Sequence, residues 1–179
     1  MTIPDDVLAF WQGAGPDKWF KKDAAFDAGI RARFLATYEA AARGELGAWE
    51  GTAKGALALV ITLDQFPRNM FRDDTRAFAA DALARGVADR AIARGFDMQV
   101  PESQRGFFYL PFEHSENLAD QERCVALTRA TGDKDLVKWA EIHADIIRRF
   151  GRFPHRNKVL GRATTPAEQI FLDSGGFSG

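Results

Sequence analysis

The chain has 179 residues, 46% of them hydrophobic and 27% charged, which suits one globular domain with a sizeable core. A formal net charge of -1 lacks the positive excess that general phosphate-backbone binding requires. The longest apolar run, Gly55 to Leu63, is less than half of the roughly 20 residues a membrane span needs, so neither general nucleic-acid binding nor a bilayer is expected. Cys124 is the only cysteine, so no intrachain disulfide is available, and the opening MTIPDDVLAF has acids where a signal peptide carries lysines. The expected compartment is the cytosol.

Taken in order, Pro4 opens a short helix carrying Val7, Leu8, Phe10 and Trp11, a lid or brace that the turn Gly13 to Pro16 ends. Asp23 is placed to cap a helix whose Phe26, Ile30, Phe34 and Tyr38 recur every fourth residue until Gly44. Thr52 caps the next, in which Leu57, Leu59, Val60, Ile61 and Leu63 point all round the axis, as in an element surrounded by protein. Pro67 is expected to end that helix near Asp64 and Gln65. Asp73 or Asp74 caps an alanine-rich helix through Leu83 and Val87 to Gly95. Pro101 starts a helix through Phe107, Phe108 and Tyr109 that Pro111 should end. Ser115 is expected to cap a helix with Leu118 and Val125 inward, running to Gly132. Asp133 caps a long helix with Leu136, Trp139, His143, Ile146, Ile147 and Phe150 on one stripe. Thr165, Pro166 and Glu168 combine an N-cap, a proline at the first helical position and a capping-box acid. The Gly- and Ser-rich end, from about residue 172 to 179, reads as loose. The fold class is therefore all-α, a single domain (1–179) of packed antiparallel helical hairpins.

The polar residues concentrate in two similar stretches, LDQFPRNMFR (Leu63–Arg72) and RRFGRFPHRNKVLGR (Arg148–Arg162), in which an apolar helix runs into Phe-Pro followed by an Arg-Asn pair. Asp64 stands where the carbonyl end of a buried helix repels a carboxylate, so it needs a cation or several donors. Arg68 and Arg72 are nearest in sequence, and Arg152 or Arg156 is the alternative. Two readings follow. In one, these residues form an internal ion-pair network that pins loops together. In the other, Arg68, Arg72, Arg152, Arg156, Lys158 and Arg162 exceed the local acids Asp64, Glu113 and Glu116, and guanidinium forks bind a carboxylate or phosphate ligand, with Asn69 and Asn157 as neutral donors. His114, Ser115 and Glu116 form an HSE turn that joins this set; His114, Glu116 and His155 are the candidates for acid-base chemistry. His143, alone on an apolar stripe, reads as a hydrogen-bonded core residue. No HExxH, CxxC, GxSxG, GxGxxG or GxxxxGK pattern occurs, so no metal, nucleophile elbow, phosphate loop or cofactor is expected.

The motifs WF-x-x-D-x-x-FD (Trp19–Asp27), LDQFPRN-x-FR (Leu63–Arg72), FFYLPFEHSE (Phe107–Glu116) and RFGRFPHRN-x-x-LGR (Arg149–Arg162) resemble the bacterial family catalogued as domain of unknown function 924. A small departure is Pro166-Ala167, where the family often has a polar or acidic residue. The resemblance implies an all-helical fold similar to the tetratricopeptide-like superfamily and implies no activity. The leading functional expectation is a cytosolic binding protein with an Arg/His/Asn-lined pocket for an anionic small molecule or a peptide carboxylate. Against it stand a hydrolase or lyase using His114 and Glu116 as an acid-base pair, and a structural interaction module without a pocket.

Overall fold

Several helices of this chain begin where a side-chain oxygen can accept from otherwise unbonded first-turn amides. In the computed structural model, which describes residues 2–177, Asp23 accepts from the amides of Ala25 and Phe26, Thr52 from Gly55, Asp133 from Asp135 and Leu136, and Thr165 from Glu168. The elements are all helical, with no strand among the described residues. They are α1 (Pro4–Ala14), α2 (Pro16–Trp19), α3 (Ala24–Ala42), α4 (Ala53–Val60), α5 (Phe66–Met70), α6 (Asp81–Ala93), α7 (Glu102–Glu113), α8 (Leu118–Thr131), α9 (Lys134–Phe150) and α10 (Pro166–Asp173). Two compact units result, Met1–Pro111 and Phe112–Gly179.

In the first unit α4 is the central helix. Ala56, Leu57, Ala58, Leu59, Val60 and Ile61 are all buried, because α1 and α6 both pack on it. Around it the aromatic side chains stack: Phe34 lies 4.9 Å from Phe66, and Trp11 meets the edges of Phe66 and Phe107 at 5.8 Å each. Each such ring removed from water is worth about 1.5–3 kcal/mol.

The helix does not stop before Pro67. It passes from α4 through a π turn, Ile61–Gln65, into α5, and the Phe66 amide donates to the Ile61 carbonyl five residues back. Proline cannot donate, and its ring collides with the carbonyl four residues earlier in a regular helix. One extra residue in the turn relieves that collision and lets the chain continue. The turn buries Asp64 and Gln65 rather than ending in solvent.

In the second unit α8 and α9 form a hairpin. Ile146, Ile147 and Phe153 make its buried centre, with Ile142, Phe150, Phe171 and Phe177 packed against it. Four expectations shift in detail. Pro111 lies inside α7, in its last turn, where it removes one helical bond without stopping the helix. Asn117, not Ser115, caps α8: its Oδ1 accepts from Ala119, while the Ser115 hydroxyl donates to Asp120 at 2.6 Å. The alanine-rich helix starts at Asp81 because Asp74 caps a separate 3-10 turn, Thr75–Phe78. Leu118, read as inward-facing, and Trp139, read onto the apolar stripe of its helix, are exposed. Of the end read as loose, Ser178 and Gly179 lie outside the described residues.

Candidate functional site

The two Phe-Pro stretches build the same device, each within its own unit. In the first, Asp27 in the first turn of α3 accepts from Asn69 Nδ2 at 2.8 Å and from Arg72 Nε and Nη2 at 2.5 and 3.0 Å. In the second, Glu168 in the first turn of α10 accepts from Arg152 Nε and Nη2 at 2.6 and 2.8 Å and from Asn157 Nδ2 at 3.2 Å. An acid near a helix N-terminus is favoured by the dipole, and an arginine fork matches a carboxylate in two parallel bonds. The Arg-Asn combination therefore clamps a loop to a helix start.

A second fork joins each clamp. Arg68 donates to Asp81 at 2.9 and 3.0 Å and lies 3.3 Å from Asp64 Oδ1, whose other oxygen accepts from Gln65 at 2.6 Å. Arg162 donates to both oxygens of Glu116 at 2.7 and 2.9 Å, and Glu116 also accepts from the Phe153 amide at 2.8 Å. Thus Arg68, Arg72 and Arg152, expected to meet an anionic ligand, already meet carboxylates of the chain. Burial opposes ionisation of Glu116, but its bonds from Arg162 and the Phe153 amide outweigh that and lower its pKa. A carboxylate held ionised in this way is poorly matched to shuttling protons near neutrality.

What remains is a cluster of histidines in the second unit. His143, from the middle of α9, places Nδ1 at 2.8 Å from the Trp139 carbonyl and 3.4 Å from Glu113 Oε1. His155, in the 3-10 turn Pro154–Arg156, stands 5.6 Å from the Phe153 ring, which His143 meets edge-on at the same distance. The Arg156 guanidinium lies 4.6 Å over the other component of this stack, Phe153. Burial lowers the pKa of His155 most, and the charges of Arg156, His143 and His114 act in the same direction, to about 3. His155 is therefore neutral near pH 7. Its Nδ1 is buried and has no hydrogen-bonding partner, and Asn157 Oδ1 nearby in sequence is in the same condition. The other two histidines of the chain, His143 and His114, thus both act on His155 within one unit.

The sequence singled out His114, His155, Arg156 and Asn157 but assigned His143 to the core, because its apolar stripe conceals a polar neighbour brought by Glu113. It also missed Asp27, Asp81 and Glu168 as partners of the arginines. Asp27 closes the motif that starts at Trp19, and Glu168 was visible as a capping residue; those were the available signals. Among the described residues no group of three or more His, Cys, Asp or Glu side chains could hold a metal ion. A cleft of ≈ 200 Å³ opens in the first unit, lined by Leu46, Leu59, Leu63 and Val87, with Glu50 and Arg90 paired at 2.8 Å. None of the candidate polar residues lines it.

No helix is long and apolar enough to cross a membrane among the described residues. No curated protein matches the chain. A solved structure of a protein of unknown function from Agrobacterium tumefaciens is 50% identical, with a TM-score of 0.93 over 96% of this chain and 97% of that one. A family model described as a bacterial protein of unknown function matches residues 7–176. With that match over nearly its whole length, the chain belongs to the bacterial family of unknown function DUF924.

Proposed function

We propose that the protein is a cytosolic binding protein whose second unit takes an anion, a small carboxylate or phosphate or a peptide carboxylate, at His155 and Arg156. The observation that carries this reading is the buried, partnerless Nδ1 of a neutral imidazole beside an arginine and two further histidines. A buried polar atom left without a partner costs about 1–3 kcal/mol, and an oxygen ligand accepting from Nδ1–H removes that cost. His114, through its charge, and Asn157, two residues on from His155, tune this position, while Ser115 and Glu116 hold the turn that carries His114. Asp64, Arg68, Asn69, Arg72 and Arg152 serve as the clamps that keep both Phe-Pro stretches in place. The chain's single cysteine fits a reducing compartment.

The test is thermal unfolding with acetate, phosphate and an acidic peptide, on the wild type and on His155→Phe. A ligand at about 100 times its dissociation constant stabilises the native state by about 2.7 kcal/mol, so the melting temperature should climb with the logarithm of anion concentration. His155→Phe should fold and show no such climb. Absence of any anion effect on the wild type contradicts the reading and leaves the polar stretches as structure only.

The same variant has a pH signature. With a folded pKa near 3 against an ordinary 6.5, the unfolded chain binds a proton at His155 that the native state refuses. That penalty is absent above about pH 6.5 and grows as pH falls toward 3, by at most about 1.4 kcal/mol per unit. Denaturant unfolding at about pH 7 and about pH 5 should show His155→Phe holding its stability better than the wild type by about 1–2 kcal/mol at the lower pH.

A further inference from the structure

Phe177 lies beyond α10, outside every helix, yet its ring is held among three others. It meets the His143 ring at 4.4 Å and 63°, the His155 ring at 5.3 Å and 80°, and the Trp139 ring at 6.3 Å. Trp139 and His143 are four residues apart on α9 and so share a face. With His155 they form a slot of one indole and two imidazoles around a single phenyl ring. Imidazole walls are an uneconomical lining for a plain hydrocarbon core, whereas edge-on packing of a ring against them uses the quadrupole of both partners. The path that brings Phe177 there is specific. The amides of Gly175 and Gly176 donate to Leu172 and Phe171 at 3.2 and 3.0 Å, and a Cβ on Gly176 would lie 2.5 Å from the Phe171 carbonyl oxygen. Only glycine passes that point.

We infer that Phe177 occupies, in cis, the ring subsite of the ligand: the protein binds an anion that carries an aromatic group, whose ring replaces Phe177 between Trp139, His143 and His155 while its acidic group reaches His155 and Arg156. The inference rests on the anion site proposed above. A ring slot and a buried hydrogen-bonding nitrogen share one residue, His155, so a ligand satisfying both is an aryl carboxylate or aryl phosphate, or a peptide ending in an aromatic residue. With Phe177 seated, the binding-competent state is a minor one, and apparent affinity is reduced by its fractional population.

Calorimetric titration of the full chain with acetate, phenylacetate and N-acetyl-Gly-Gly-Phe tests this. In the wild type the aromatic ligands are expected to bind about as weakly as acetate. Phe177→Ala should bind one or both of them about tenfold tighter than the wild type does, with acetate affinity unchanged. A larger gain for phenylacetate marks a small molecule as the ligand source, and a larger gain for the peptide marks a chain terminus. Phe177 also packs against Ile146, Ile147 and Phe153, so Phe177→Leu, which keeps most of the apolar volume, carries the same comparison where the alanine variant loses helical signal. Acetate binding without any gain for the aromatic ligands in a folded variant overturns the ring subsite alone. No acetate binding to either protein overturns the anion site, and the ring subsite with it.

Discussion

Glu168→Ala is expected to lower stability by about 3 kcal/mol, measured by denaturant unfolding near pH 7. Four donors converge on this one buried carboxylate: Arg152 Nε and Nη2, Asn157 Nδ2, and the Thr165 amide at 2.7 Å. Alanine leaves Arg152 and Asn157 without their acceptor and dismantles the capping box of α10, a cap being worth about 1 kcal/mol. Arg152 is partly exposed, so its head can regain water, which keeps the loss toward the lower end for a broken buried pair. The pH dependence has its own sign. The Arg152 hydrogen bonds, against the cost of burial and with help from Thr165, hold the Glu168 pKa at about 2, below its ordinary 4.5. Its contribution is therefore complete above about pH 4.5 and is lost as pH falls toward 2, a window that starts and ends lower than that of His155. Glu168→Gln should keep much of the cap and remove the acid-sensitive part. An alanine variant as stable as the wild type would show that the clamp holds nothing.

Gly55→Ala should be more damaging still, by at least about 3 kcal/mol, with loss of the cooperative transition as the extreme outcome. A Cβ there would lie 2.1 Å from the Trp49 carbonyl oxygen and 3.0 Å from Thr52 Oγ1. Neither can yield cheaply. Trp49 is backbone of the 3-10 turn Gly47–Gly51, and Thr52 Oγ1 is the cap that accepts from the Gly55 amide itself. The clash sits at the start of α4, the buried axis of the first unit, so its relief would displace the helix that carries Asp64 and Arg68. Circular dichroism melting of the variant beside the wild type reads the effect, and an unchanged melting temperature would refute it.

Much of this architecture could be read from the chain because caps are local. Asp23, Thr52, Asp133 and Thr165 sit within three residues of the amides they satisfy, and each starts the helix expected of it. Pro67 misled for a local reason of another kind: a π turn changes which carbonyl an amide reaches, and no composition signal marks that change. Ser115 looked like a cap because it precedes a helix, yet Asn117 stands closer to the first free amide and takes the role. The arginine partners were out of reach for periodicity. Arg72 and Asp27 are 45 residues apart, and Arg152 and Glu168 are 16 apart, so pairing depends on how helices pack rather than on spacing. Trp139 shows the converse error. Its stripe predicted burial, but the residue is 46% exposed and its ring forms one wall of the slot around Phe177.

The most direct measurement of the central claim is nitrogen-resolved nuclear magnetic resonance of the His155 imidazole, titrated first with acid and then, at about pH 6, with acetate and with phosphate. A neutral ring that stays neutral well below its ordinary pKa, and an Nδ1 resonance that moves and saturates with added anion, is the result predicted here. A ring that protonates near 6.5 and ignores every anion would contradict both the buried environment of His155 and the site built on it.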